Sequence, residues 1–150
     1  MGNYLDIWFT VTALVFIVSL LSAMFVGVWH KNGKALILLI GVAFISIVLF
    51  FSQKYQIRWL LSEELSASSF VIGAHEEFEA SKLLDSLKNK KYVEMNRTDP
   101  LSKSKVRIVT NTGEVELLIA QDSKNKELFW IYYPRYRFSR LNPIGKVRIH

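Results

Sequence analysis

The chain contains no cysteine in 150 residues, which removes disulfides, thiolate nucleophiles and cysteine-based zinc sites together. Two long stretches also lack Asp, Glu, Lys and Arg altogether: Ile7 to Trp29 and Ala35 to Phe51. Intramembrane charge is the usual mark of proton relays, voltage sensing and ion-coupled transport, so its absence there argues against a pump or carrier. P-loop, GxGxxG, HExxH and GxSxG patterns are missing as well. The three histidines, His30, His75 and His150, are dispersed along the chain.

Isolated groups do not fill the gap. His75 and Glu79 stand at i, i+4, a spacing that places two metal ligands on one helical turn, but no third ligand accompanies them and a solvated helix start is the better reading. Glu76, Glu77 and Glu79 serve the amino end of the same helix through its dipole, which leaves no acid/base pair to assign. Asn96-Arg97-Thr98 fits a glycosylation sequon, a short pattern that arises often by chance. No catalytic residue, metal or cofactor emerges from the sequence, and the expectation is a chain that is not an enzyme.

What the chain has in abundance is apolar length. The run IWFTVTALVFIVSLLSAMFVGVW, from Ile7 to Trp29, is about 34 Å long as a helix, enough for a hydrocarbon core of about 30 Å. Trp8 and Trp29 stand at its ends, where amphipathic rings prefer the interface. Ala35 to Phe51, ALILLIGVAFISIVLFF, lies at the short limit for a span. Lys54, Tyr55, Arg58 and Trp59 come next as i, i+4 pairs, so the helix is expected to continue past Phe51 and anchor there. Only HKNGK separates the two runs, with Asn32 and Gly33 suited to a tight turn, so the helices are antiparallel neighbours. A cleaved signal peptide would want a basic start and a shorter apolar core, whereas this chain begins with Asp6 as its only charge before a long one. Myristoylation fails because Asp6 stands where Ser or Thr is needed.

Ser19, Ala23 and Gly27 recur every four residues and form a strip of small side chains on the first helix. Such strips let helix backbones approach, either within the hairpin or between two copies, and Gly41, Ala43 and Ser46 could supply a facing surface. Topology is set by Lys and Arg in short loops. Lys31 and Lys34 place the connection in the cytoplasm, while Lys54 and Arg58 pull the other way with equal count. Giving the first helix its usual weight leaves the C-terminal domain on the non-cytoplasmic side.

After Ser52 charged residues appear throughout, and the reading is a hairpin with its juxtamembrane anchor over 1–59, a linker over 60–69 (containing EELSASS) and a small α+β domain over 70–150. FVIG, residues 70–73, is a short strand. His75 to Lys91 is a helix with Phe78, Leu83, Leu84 and Leu87 on one face. Tyr92 to Met95 forms a brief strand, then KVRIVT (105–110) and EVELLIA (114–120) alternate as a hairpin around Asn111-Thr112-Gly113. Glu127 to Tyr133 is the next strand, stopped by Pro134, and GKVRIH (145–150) the last. The sum is one helix packed on an antiparallel meander.

The segment FWIYYPRYRF, residues 129–138, is the most unusual. Its strand portion is apolar on both faces, so it is expected to be central, with a helix over one face and the 135–143 loop, a second copy or the membrane over the other. Beyond Pro134, Arg135, Arg137 and Arg140 alternate with Tyr136 and Phe138. Arginines with aromatics suit anionic headgroups or another phosphate-bearing ligand. A net charge of +6 suits anionic partners, whether lipid headgroups, nucleic acid or an acidic protein, and the arginine–aromatic pattern equally suits single-stranded nucleic acid, the less favoured partner. The functional expectation is a membrane-anchored, non-catalytic interaction or regulatory module with a protein partner or a second copy of itself. The alternative is a ligand-gated effector that senses a small anion through these arginines and clusters its helices along Ser19, Ala23 and Gly27.

Overall fold

The computed structural model describes residues 3–30, 32–72, 80–94 and 98–149, and the chain divides into two compact units, Met1–Gln53 and Lys54–His150. The first unit is a helical hairpin. Helix α1 (Asn3–Phe25) widens into a π-helical turn, Val26–His30, and α2 begins at Gly33 and continues to Glu64. Both are long and apolar enough to cross a membrane. Asn32 does more than permit a turn. Its side-chain oxygen accepts the Ala35 N–H (3.3 Å) and its carbonyl accepts Leu36 N–H (3.0 Å), so it caps α2.

The hairpin buries mainly small and polar side chains and exposes large apolar ones. Thr12, Ser19, Ser46 and Gln53 are buried, and Gln53 Nε2 donates to Thr12 Oγ1 across the two helices at 3.3 Å. Phe9 and Phe50 pack at 5.2 Å beside that bond. Hydroxyls also donate to carbonyls of their own helix: Thr10 to Asp6 O and Ser46 to Val42 O. By contrast Ile7, Leu21, Met24, Val28, Ile37, Leu38 and Phe44 are each at least 60% exposed. The strip of small residues divides: Ser19 and Ala23 are buried, whereas Gly27 is exposed in the π-helical turn, where an added methyl would meet only Leu36 Cδ1 at 3.8 Å. Ala43 and Ser46 are buried on α2, while Gly41 is exposed.

The second unit is an α+β fold. One antiparallel sheet runs in the order β1-β3-β4-β5-β6-β2, with β1 at Phe70–Ile72, β2 at Tyr92–Val93, β3 at Pro100–Thr110, β4 at Gly113–Asp122, β5 at Leu128–Tyr132 and β6 at Gly145–Arg148. Strands β3 to β6 form the expected meander, and the two short strands close its edges. Helix α3 (Ala80–Lys88) packs near β1 and β6. The earlier part of its expected span, His75 to Glu79, lies outside the described residues. A fourth short helix, α4 (Arg137–Leu141), occupies what the sequence suggested was an irregular loop. The polar linker is also shorter than expected: 60–64 are the last turn of α2, and the chain leaves the helix only at Leu65.

Cross-strand register assigns the faces. Val106 opposes Leu117, Ile108 opposes Val115, Ile119 opposes Ile131 and Phe129 opposes Val147. All eight are buried and form one apolar face. Leu83 and Leu87 of α3, one turn apart, are fully buried, as are Ile57 and Leu61 of α2. The other face carries exposed Lys103, Lys105, Arg107 and Glu116, half-buried Trp130 and buried Lys146. At the β3–β4 turn Thr110 pairs with Gly113, whose φ of 142° is a conformation that side chains disfavour.

Strand β5 is central, between β4 and β6. On its second apolar face the Tyr132 and Trp130 rings each carry a lysine. Lys103 Nζ lies 3.9 Å from the Tyr132 ring centroid and Lys146 Nζ 3.8 Å from that of Trp130. Lysine stems cover aromatic surface while their ammonium groups gain from the ring faces.

Candidate functional site

Three polar clusters organise the second unit. The first is built on Arg58, a residue of the α2 turn that also carries buried Ile57 and Leu61. Its Nε donates to Ile144 O at 2.5 Å and its Nη1 to Glu94 Oε1 at 2.7 Å. The guanidinium lies 4.2 Å from the Tyr92 ring centroid. Lys54, one turn earlier, places Nζ 3.2 Å from the other Glu94 oxygen. Arg58, and after it Lys54, hold the Glu94 carboxyl below its usual pKa. Gly145 makes the approach possible, since a Cβ there would sit 2.6 Å from Arg58 Nη2 and 2.5 Å from Tyr92 Cδ1. Burial pushes the Tyr92 phenol well above its usual pKa, and its hydroxyl is buried without a hydrogen-bond partner among the described residues.

The second cluster surrounds Asp122. Its carboxylate accepts from Trp130 Nε1 (3.0 Å), Lys124 N (3.0 Å), Asn125 N (3.1 Å) and the Thr98 hydroxyl, with Lys146 Nζ at 3.7 Å. Burial alone would raise its pKa, but those hydrogen bonds outweigh it and hold the value at about 2. Lys146 Nζ also donates to Thr98 Oγ1 at 2.9 Å. The third cluster joins α2 to the end of β5. Tyr133 Oη donates to Glu64 Oε2 at 2.5 Å, and Arg135 Nη1 to Glu64 Oε1 at 2.8 Å. Burial, then the Glu64 bond, push the Tyr133 phenol well up.

Between the first two clusters lies an open cavity of about 230 Å³, lined by Lys54, Arg58, Glu94, Trp130, Pro143 and Lys146 among others. It holds three cations and one lining carboxylate. Among the described residues no three His, Asp or Glu side chains are grouped so as to hold a metal ion. His75 and His150 lie outside them.

The residues singled out for anion contact after Pro134 are placed differently from what their pattern suggested. Tyr136 and Phe138 are buried, because α4 turns them inward, and so cannot share a contact surface with the arginines. Tyr136 instead packs edge-on against Tyr133 at 5.1 Å. Arg135 is bonded to Glu64, and Arg140 Nε donates to Pro134 O at 3.1 Å. Arg137 is exposed. The alternation of arginine and aromatic is thus one of surface and core.

The expected interface anchors divide as well. Trp8, Trp29, Tyr55 and Trp59 are exposed. Lys54 and Arg58 are not free to extend toward headgroups: both are paired with Glu94, and Arg58 is buried. Glu94, Thr98, Asp122, Trp130 and Lys146 carry no mark of a site in the sequence, because each draws its meaning from a partner distant in the chain. Asp122 alone leaves a local trace, in the turn sequence DSKN whose backbone it caps. Comparison with protein-family models, curated proteins and solved structures finds no match for this chain.

Proposed function

We propose that the protein is a membrane-anchored, non-catalytic interaction or regulatory module: α1 and α2 cross a bilayer as a hairpin, and the domain from Lys54 onward acts on a partner at the membrane surface, on the non-cytoplasmic side. The observation that carries the reading is the inverted hairpin. Thr12, Ser19, Ser46 and Gln53 are inside, and large apolar side chains such as Val28 and Ile37, each 73% exposed, are outside. In water that arrangement is unfavourable; in lipid it satisfies both sets of groups. Exposed Trp8 and Trp29 at the ends of the first span fit the interfacial belt. A surface for a partner is offered by β1, an edge strand whose Phe70 is 54% exposed and Ile72 40%.

The test is extraction and labelling of the full chain. It is expected to stay with vesicles in alkaline carbonate, and a cysteine introduced as Ser123→Cys to react with an impermeant thiol reagent from outside. A photo-crosslinker at Phe70 is expected to trap a protein partner or a second copy. Release of the chain by carbonate would refute the anchor, and an uncrosslinked Phe70 variant the partner surface.

A further inference from the structure

We infer that the cavity bounded by Lys54, Arg58, Lys146 and Trp130 binds a phosphate monoester, with Glu94 occupying the anion position in its absence. Such a site is independent of any partner at β1.

Two of its three cations are fixed before any ligand arrives. The Arg58 side chain is 10% exposed, tethered to Ile144 O and laid against Tyr92. The Lys146 side chain is 8% exposed, seated on Trp130 and bonded to Thr98. Placing two cations in fixed, largely dehydrated positions beside one cavity costs solvation, and a fixed cation is what gives an anion strong, directed contacts. Guanidinium offers a fork of donors and ammonium a point charge, the pair that phosphate recognition commonly combines. Lys54, 26% exposed, can adjust to the bound group.

Glu94 is the least constrained member. It comes just after the edge strand β2, its side chain is 47% exposed, and its carboxylate oxygens are divided between Lys54 and Arg58. A carboxylate bridging two cations in this way stands where two phosphate oxygens would. The charges agree: Lys54 and Arg58 pair with Glu94 and Lys146 with Asp122, a net of one positive charge, and displacing Glu94 leaves two to meet a phosphate dianion. Size sets the substituent. At about 230 Å³ the cavity lies below the roughly 300 to 1,000 Å³ of usual small-molecule sites, so it takes a phosphate on a small polyol or glycerol, not a nucleotide. Trp130 and Pro143 provide the apolar wall for that substituent.

A phosphate monoester can come from solution or from a lipid headgroup, and the experiment has an arm for each. Full-length protein in neutral detergent is titrated calorimetrically with glycerol 3-phosphate, and native mass spectrometry counts retained phosphatidic acid against phosphatidylcholine. Saturable binding in the first arm identifies a soluble ligand; selective retention in the second identifies a headgroup; either supports the site. Lys54→Gln is expected to weaken the bound species about tenfold, the equivalent of one lost ionic contact. Glu94→Gln is expected to tighten it several-fold, because the internal competitor is gone. A purely structural ion pair would give no binding in either arm, and that result overturns the proposal. So does binding that Lys54→Gln leaves unchanged, or that Glu94→Gln weakens.

Discussion

Replacing Gly145 by alanine probes the Arg58 cluster without touching a charged residue. The new Cβ would lie 2.5 Å from Tyr92 Cδ1 and 2.6 Å from Arg58 Nη2, where ordinary contact begins at 3.4 Å. Neither neighbour yields freely. The Tyr92 ring lies close to both Gly145 and the Arg58 guanidinium, and Arg58 is held by Ile144 O and Glu94. Forcing a methyl into such a space costs roughly 1 to 3 kcal/mol. Moving Arg58 aside would relieve its own contact but not the one with Tyr92 Cδ1, and would forfeit a charge-assisted hydrogen bond of about 1.5 to 3 kcal/mol and leave the Ile144 carbonyl unpaired. The two costs overlap in part, so about 3 kcal/mol is expected. For a unit of this size each kcal/mol shifts the midpoint by about 4 to 8 °C, so the domain transition should fall by on the order of 15 °C. The assay is near-ultraviolet circular dichroism on thermal melting in detergent, which tracks the domain's aromatic packing. Gly33→Ala is the control: nothing lies within 4 Å of a Cβ there, and its domain transition should not move. If Gly145→Ala melted within a few degrees of the parent protein, the close packing of Arg58 and Tyr92 over Gly145 would be refuted, and with it the fixed cation on which the anion site rests.

Two further tests concern the other clusters. Asp122 has its pKa depressed to about 2, so the stability it contributes is fully present above its unfolded value and is lost as pH falls through about 4 toward 2. Discounted for solvent screening, that contribution is roughly 1 to 2 kcal/mol; Asp122→Asn should lower stability at neutral pH and flatten the acid limb of a stability-versus-pH curve, and an unaltered limb would count against the assignment. Tyr133→Phe removes one donor to Glu64 while Arg135 keeps that carboxylate paired, so a loss of about 1 kcal/mol is expected in chemical denaturation. A loss much larger than that would mean Tyr133 packs differently from the geometry described.

Sequence legibility varies with the range of the interactions involved. The β3–β4 hairpin is readable because alternation and a Gly-containing turn are adjacent features, although β3 begins at Pro100, five residues before the expected Lys105. Strand β5 is recognisable as central from its two apolar faces. What covers the second face is not, since Lys103 and Lys146 meet Tyr132 and Trp130 only through strand pairing. The segment after Pro134 misleads for the same reason. Arg-aromatic alternation looks identical whether the rings face outward or, as α4 places them, into the core. Lys54 and Arg58 look like anchors at a helix end because nothing local announces Glu94, 36 residues beyond Arg58.

By itself the sequence determined the two long apolar helices, the absence of charge within their apolar runs and the α+β character of the residues after them, because uninterrupted apolar length and residue periodicity are local properties of a chain. Tertiary structure alone decided which cations are paired within the fold and which stay exposed. That choice depends on bringing α2, β2 and β6 around Gly145, and it is made by distances between groups that the chain holds far apart.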